Sequence, residues 1–264
     1  MIGNLKLAKV FWTITTALAF LAALGGILWR DSYIGLVPPS FEPGAFPQDV
    51  LTLLVCIAMF ALIARTKERD VRRQVILIGL LGSLFYLYGI FTIERVYNAF
   101  YLLYAAVFGA SFWSLAYTLG KYRPESVSSL QLGSGMLRLT AISSLFIAVI
   151  FTLLWVSALL PLMRARDRID FMYSIYILDL CFIMPAFVIT AVMALRRIPL
   201  GILMGPAIMI LGFFVIFPLG LNELAKPAAG MAIEYGPMAV SFVFAFYMLA
   251  LAAMQLRQIS LQQD

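Results

Sequence analysis

Long stretches without any charged residue dominate the chain. Eight such apolar runs lie between its charged positions, and six of them contain at least 20 residues. A helix needs about 20 mostly apolar residues to cross the hydrocarbon core of a bilayer. The eight runs are Val10–Trp29, Val50–Ala64, Gln74–Ile93, Val96–Gly120, Leu139–Met163, Leu180–Leu195, Ile198–Asn222 and Tyr235–Leu256.

The two shortest runs each begin directly after an aspartate. One follows Asp49 and the other follows Asp179. When they are extended backwards through Phe46–Gln48 and Ser174–Leu178, both reach the length of about 20 residues that a spanning helix needs. The pattern therefore predicts about eight transmembrane helices.

The apolar runs do not alternate with polar residues. Only helices and closed β-barrels pair all their backbone groups within lipid, and barrel strands alternate apolar and polar side chains. The segment Leu145–Phe151 is continuously apolar, and the other runs are similar. We therefore expect an all-α polytopic membrane protein in which residues 1–264 form one helical bundle.

The composition leads to the same class of protein. Hydrophobic residues make up 63% of the chain and charged residues only 12%, whereas a soluble domain has about 25% charged residues. The chain contains no histidine, which excludes His-ligated haem, zinc sites that need histidine, and Ser-His or Cys-His nucleophiles. We expect neither a cofactor nor a metal site.

The charges also predict an orientation. With alternating loops, 13 of the 19 basic residues lie on the side of the two termini. The positive-inside rule then places both termini in the cytoplasm, with the protein in the cell membrane. The net charge of +6 favours contact with anionic lipid headgroups. The basic segment Arg65–Arg73 contains interleaved acids, so we do not expect nucleic-acid binding.

The two aspartates suggest an internal repeat. In each half a helix that begins with aspartate ends at arginine, and the next, glycine-containing helix ends near a glutamate. Residues 1–120 and 138–264 would then be two copies of four helices, with 121–137 as a Ser/Gly-rich linker. Chance similarity between apolar helices is the alternative. The markers are Asp49, Arg65 and Glu94 in the first half, and Asp179, Arg196 and Glu223 in the second.

No charged residue falls at the predicted midplane of a helix, and all five lysines lie at helix ends or in loops. Proton-coupled transporters usually place ionisable groups near the midplane, and retinal attachment needs an intrahelical lysine. The sequence therefore argues against both classes.

Acidic and aromatic residues instead gather at the predicted outer ends of the helices. Such groups suit an outward-facing cavity for a lipid-like or cationic amphiphilic ligand. The alternatives are an interfacial aromatic belt and, for Asp179, pairing with Arg164, Arg166 or Arg168 at headgroup depth. The predicted ligand-binding residues are Asp49, Tyr88, Glu94, Asn98, Tyr101, Tyr104 and Asp179.

Two functional hypotheses follow from these patterns. The first is a membrane protein that binds or moves an apolar or amphiphilic small ligand. The second is a non-catalytic accessory or scaffold subunit that forms homo- or hetero-oligomers through small-xxx-small faces. Such faces occur at Gly201 and Gly205, and at Ala105 and Gly109. No motif identifies a family or a catalytic residue, so an enzyme is the least favoured class.

Overall fold

The computed structural model describes residues 2–122, 130–169 and 172–261, and in this part of the chain eight helices have the length and apolarity of membrane spans. The predicted helical fold with eight membrane-length helices is thereby confirmed, and it is compatible with an integral membrane protein. Residues 123–129 of the predicted linker 121–137 lie outside the described residues. The helices are α1 (Leu5–Leu28), α2 (Glu42–Arg65), α3 (Val71–Ile93), α4 (Tyr101–Gly120), α5 (Ser134–Ala165), α6 (Tyr173–Leu178), α7 (Met184–Leu195), α8 (Pro199–Ala225) and α9 (Tyr235–Gln258).

One membrane-length helix consists of two labelled parts. A π-helical turn, Asp179–Ile183, joins α6 to α7 without a break in the helix. A π-turn accommodates an extra residue in the helical ladder and is often found at functional sites. Pro185 follows directly and has no backbone N–H to donate, so the helix is irregular over two successive turns.

The two ends of the bundle differ in what they contain. At one end, Gly3 donates a backbone hydrogen bond to Lys121, and the two-residue strands β1 (Leu130–Gln131) and β2 (Ser260–Leu261) pair antiparallel. We name this end the terminal face, because the first and last described residues lie there together with the turns 66–70 and 196–198. The opposite end is the loop face, which is formed by residues 29–41, 94–100, 166–169 and 226–234.

Helices α3 and α8 form the centre of the bundle. They pack along each other, and in the most apolar 18-residue stretch of each helix 67% of the α3 residues and 61% of the α8 residues are buried. Gly79 permits this approach, because a Cβ there would lie 2.7 Å from the carbonyl oxygen of Ala207. Helix α5 is peripheral: it packs mainly against α7, and only 11% of its most apolar 18-residue stretch is buried.

Hydroxyl, indole and side-chain amide groups connect the outer helices in the half of the bundle nearer the terminal face. In the first half they link α1 to α4, and in the second half they link α5 to α9. Hydrogen bonds between helices have few competitors in lipid, so these groups fix the position of each outer pair. The bonds are Thr15 to Ser114 (2.8 Å), Trp12 to Thr118 (2.9 Å), Ser143 to Tyr247, and Gln255 to Thr140 (2.9 Å).

The two predicted small-residue faces have different surroundings. Gly201 and Gly205 are buried, Gly201 against the backbone of α7 and Gly205 against Gln255 and Thr140. This face therefore serves packing inside the bundle. Gly109 in α4 has open space where a Cβ would stand, so the α4 face is not covered there by another described helix.

Candidate functional site

A cavity of about 170 Å³ lies on the loop-face side of the bundle, where α2, α3, α6 and α8 meet. Most of its wall is apolar, as is typical of small-molecule sites. Apolar wall residues include Leu36, Val37, Phe41, Ala45, Leu87, Ile90, Phe214 and Val215. The polar residues of the wall are Gln48, Tyr86, Glu94, Ser174 and Asn222.

Glu94 connects the end of α3 to the start of α6 at the edge of this cavity. Its Oε1 atom accepts hydrogen bonds from the backbone N–H of Ser174 (2.7 Å) and from the Ser174 hydroxyl (2.5 Å). The first N–H groups of a helix have no partner within the helix, and a carboxylate is favoured at this positive end. Glu94 thus caps a helix of the other half of the chain.

Asn222 makes the corresponding connection between α8 and the segment before α2. Its Nδ2 atom donates to the carbonyl oxygen of Ser40 (3.0 Å), whereas its Oδ1 atom has no hydrogen-bond partner although the residue is only 5% exposed. A Cβ at Gly44 would lie 2.5 Å from this oxygen. The glycine therefore leaves room for a buried acceptor at the cavity wall.

A second polar group lies inside the bundle, and we name it the tyrosine network: Tyr33, Asp49, Asn98 and Tyr104. The Tyr33 hydroxyl donates to Asp49 Oδ2 (2.9 Å), and the Tyr104 hydroxyl donates to the Tyr33 hydroxyl (3.2 Å). Asn98 Nδ2 completes the chain by donating to the Tyr104 hydroxyl (3.0 Å). Asp49, Tyr33 and Tyr104 are almost fully buried.

The tyrosine network anchors the loop that covers the cavity. Tyr33 belongs to this loop, and a few residues later Leu36, Val37 and Phe41 form part of the cavity wall. Burial, and then the neighbouring Asp49 carboxylate, raise the pKa of the Tyr33 phenol well above its usual value. Tyr33 therefore stays a neutral hydrogen-bond donor to Asp49 over the whole physiological pH range.

Asp179 lies in the π-turn and is held from α5. The Trp155 Nε1–H donates to Asp179 Oδ2 (2.6 Å), while Oδ1 has no hydrogen-bond partner and the residue is 4% exposed. Asp179 lines a separate cavity of about 30 Å³, which shares Val215 with the cavity of about 170 Å³. The alternative expectation, that Asp179 pairs with an arginine at headgroup depth, does not match this indole partner.

The structure distributes the seven predicted ligand-binding residues over several places. Asp49, Asn98 and Tyr104 meet in the tyrosine network, and the Tyr88 ring packs 5.8 Å from that of Tyr104 while its hydroxyl donates to the carbonyl of Ala19. Only Glu94 lines the cavity between α2, α3, α6 and α8. The remaining two lie apart from both groups, since the Tyr101 hydroxyl donates to the Thr92 carbonyl and Asp179 binds Trp155.

Four residues of these groups are absent from the predicted ligand-binding residues: Tyr33, Trp155, Ser174 and Asn222. Asn222 ends the seventh apolar run, and a polar residue at a helix end was a usable signal. Tyr33 lies in a turn-rich loop without periodicity, so no sequence pattern associates it with Asp49.

The chain has no counterpart among the proteins with which it was compared. No protein-family model, no curated protein and no solved structure matches it. Within the described residues, no three Cys, Asp or Glu side chains group closely enough to hold a metal ion. A functional proposal therefore depends on the cavity and on the side chains that surround it.

Proposed function

We propose that the protein binds an apolar or amphiphilic small ligand in the cavity between α2, α3, α6 and α8. The observation that carries the proposal is the cavity itself, about 170 Å³ with a mostly apolar wall and a few polar groups such as Glu94 and Asn222. Apolar protein cavities of about 150 Å³ accommodate a molecule the size of benzene. The ligand, or the part of it that is buried, is therefore a single ring or a short alkyl chain.

Binding is the step that this site supports, rather than passage through the membrane. Leu81 of α3 and Met209 of α8 lie between the cavity and the terminal face, and both are completely buried. Close-packed side chains at this level separate the cavity from the terminal face. Movement of the ligand across the membrane would need a second arrangement of α3 and α8.

The proposed orientation has both termini in the cytoplasm, so that the cavity faces outward in the cell membrane. The predicted excess of basic residues on the terminal side supports it. Cysteine labelling tests it: with Cys56 and Cys181 replaced by alanine, Tyr97→Cys should react with an impermeant maleimide on intact cells. Lys67→Cys should react only after lysis, and the reverse pattern would overturn the orientation.

We also propose that α1–α4 and α5–α9 are two copies of one unit. The packing supports this, because α1 packs on α2 as α5 packs on α7, and α3 packs on α4 as α8 packs on α9. The polar links support it too: Thr15 to Ser114 corresponds to Ser143 to Tyr247. Glu94, at the end of α3, binds Ser174 at the start of α6, and Asn222, near the end of α8, binds Ser40 just before α2. In each copy the third membrane helix thus meets the start of the second membrane helix of the other copy.

The proposed repeat explains why the cavity lies where it does. Helices α2 and α3 belong to the first copy, and α6 and α8 belong to the second. Binding sites of membrane proteins with internal repeats lie at the interface between the copies. Tandem copies of four helices have the same orientation in the membrane, so they would be related by an axis along the membrane normal.

Ligand-induced stabilisation tests the proposed binding. Purified protein in lipid nanodiscs is titrated with 2-phenylethanol, whose ring fits the cavity. At a ligand concentration of about 100 Kd, binding stabilises the folded protein by about 2.7 kcal/mol. Thermal unfolding with and without the probe measures this effect.

A matched pair of variants separates binding in the cavity from partition into lipid. Ala45 lines the cavity, whereas Ala61 of the same helix is exposed on the bundle surface. Ala45→Phe should abolish the stabilisation by the probe, and Ala61→Phe should preserve it. Equal responses of wild type and Ala45→Phe would contradict the proposal.

The second candidate function, an accessory subunit of a larger membrane complex, is favoured by the position of α5. Only 11% of its most apolar 18-residue stretch is buried, and none of residues 149–165 is, so this part of α5 is available to lipid or to a partner helix. Purification in mild detergent distinguishes the two functions. Stoichiometric co-purifying chains would support the accessory role, and a single-protein peak would count against it.

A further inference from the structure

We infer that the cavity selects ligands whose polar end donates hydrogen bonds, such as an alcohol or an ammonium group, over carboxylates and phosphates. This inference rests on the proposed ligand binding and adds the chemical class of the ligand. The basis is an imbalance in the polar atoms of the wall, where acceptors remain unused while most donors already have partners.

The cavity wall offers an anion no positive charge. Among the described residues that line it, none is lysine or arginine, and the one ionisable acid is Glu94. An anionic group placed there would lose its hydration without a countercharge and would lie near a carboxylate. Both effects disfavour binding strongly in an apolar environment.

Most donors of the wall face protein acceptors, and the Tyr86 hydroxyl lies beside Asp179. The backbone N–H and the hydroxyl of Ser174 both donate to Glu94 Oε1. Gln48 Nε2 donates to the Thr52 hydroxyl oxygen (3.2 Å), and Asn222 Nδ2 donates to the Ser40 carbonyl. A carboxylate or phosphate on the ligand would therefore compete for donors that already stabilise the protein.

The acceptors of the wall, in contrast, include one oxygen without a hydrogen-bond partner. Asn222 Oδ1 is buried without a hydrogen-bond partner, beside Gly44, and both residues line the cavity. A buried acceptor that lacks a donor costs free energy, which a hydroxyl or ammonium hydrogen of the ligand would recover. The unpartnered oxygen thus favours a ligand that donates a hydrogen bond.

Glu94 adds a preference for positive charge. Its Oε1 atom is engaged with Ser174, and no described residue donates a hydrogen bond to its Oε2 atom. The glutamate is half-buried at the cavity edge, where an ammonium group would gain both a hydrogen bond and Coulomb attraction. An ammonium ligand should accordingly bind more tightly than the alcohol with the same apolar part.

Four probes with similar apolar parts test the selection. They are ethylbenzene, 2-phenylethanol, 2-phenylethylamine as its ammonium form, and 3-phenylpropionate as its carboxylate. Dissociation constants are measured near neutral pH in nanodiscs of zwitterionic lipid, and the response of Ala45→Phe is subtracted to remove partition into lipid. We expect the alcohol to bind about fivefold tighter than ethylbenzene, the ammonium tighter still, and the carboxylate more weakly than ethylbenzene.

Two variants assign the preference to named atoms. Glu94→Gln keeps an acceptor oxygen but removes the charge, so it should weaken binding of the ammonium about tenfold and leave binding of the alcohol nearly unchanged. Asn222→Leu removes the unpartnered Oδ1 atom and should lower the affinity for the alcohol to that for ethylbenzene. If Asn222→Leu fails to fold, the Glu94→Gln result alone decides.

The possible outcomes separate this inference from the proposed function. Similar affinities for all four probes, or tightest binding of the carboxylate, would overturn the selection while the cavity remained a binding site. Binding of none of the probes would overturn the proposed function and the inference together. The expected ranking, altered by Glu94→Gln only for the ammonium, would support both.

Discussion

At the scale of single residues, hydrogen bonds between buried polar side chains determine how the helices and loops are positioned. Asp49 is 2% exposed and is held by the Tyr33 hydroxyl, which in turn accepts from Tyr104. A buried carboxylate without a hydrogen-bond donor is costly, so its partner matters more than the average core residue. The tyrosine network therefore fixes both the interior and the loop that contains Tyr33.

Tyr33→Phe removes the donor to Asp49 without changing the ring. We expect it to lower the free energy of unfolding by about 1–3 kcal/mol, because the Asp49 oxygen is then buried without a partner. Chemical or thermal unfolding in nanodiscs measures the change. Tyr97→Phe is the matched control, since Tyr97 is 64% exposed, and equal stability of the two variants would contradict the role of the network.

The same hydroxyl predicts a dependence on alkaline pH. Because burial raises the pKa of Tyr33 above the value of about 10 in an unfolded chain, the folded protein retains a proton that the unfolded chain releases. This contribution to stability is complete below about pH 10 and declines as the pH rises further. The stability difference between wild type and Tyr33→Phe should therefore shrink from about pH 8 to about pH 11, and a constant difference would exclude this titration.

Gly26 shows how closely Asp49 approaches helix α1. A Cβ at this position would collide with Asp49 Oδ2 and lie 2.7 Å from the Tyr33 hydroxyl. We expect Gly26→Ala to destabilise the protein by about 3 kcal/mol through overpacking, measured by unfolding or by folded yield. Gly109→Ala is the control: it meets open space and should be neutral or stabilise by up to about 1 kcal/mol. A tolerated Gly26→Ala would show that Asp49 can move.

At the scale of helices, charge-free runs predicted where membrane helices occur, because apolar length is the physical requirement for spanning lipid. Their ends were harder to predict. Helix α4 begins at Tyr101, five residues after the start of its apolar run, since the turns of residues 94–100 include Arg95 with a positive φ of 59°. Hydropathy contains no information on such turns, and for the same reason it did not predict the π-turn at Asp179.

One indole, that of Trp155, makes the hydrogen bond between α5 and the α6–α7 helix. Trp155→Phe removes the donor to Asp179 and leaves a buried carboxyl group without its hydrogen bond. Hydrogen bonds to charged groups contribute about 1.5–3 kcal/mol, and we expect a loss of stability of that size. Trp113→Phe is the control because Trp113 is 63% exposed on α4. The link would be refuted if unfolding of both variants matched that of wild type.

At the scale of the whole molecule, the sequence predicted that acidic and aromatic groups would gather at one end of the bundle. It did not predict how these groups divide between the cavity and the hydrogen-bonded groups. Apolar helices resemble one another, so their sequence does not determine which of them become neighbours. The contact of α3 with α8 brings residues such as Tyr86 and Phe214 to one cavity, while Asp49 and Asp179 enter separate hydrogen-bonded groups. Glu94 is the predicted site residue that lines the cavity.

The central claim is that the cavity between α2, α3, α6 and α8 holds a small amphiphilic ligand. Crystals grown in a lipid mesophase and soaked with 2-(4-bromophenyl)ethanol test it directly, because the bromine atom is located by its anomalous scattering. We predict an anomalous peak within the apolar wall formed by Leu87 and Phe214, with the hydroxyl toward Asn222, and its loss in Ala45→Phe crystals. A cavity without bromine in the wild type, while bromine is found in the surrounding lipid, would contradict the account.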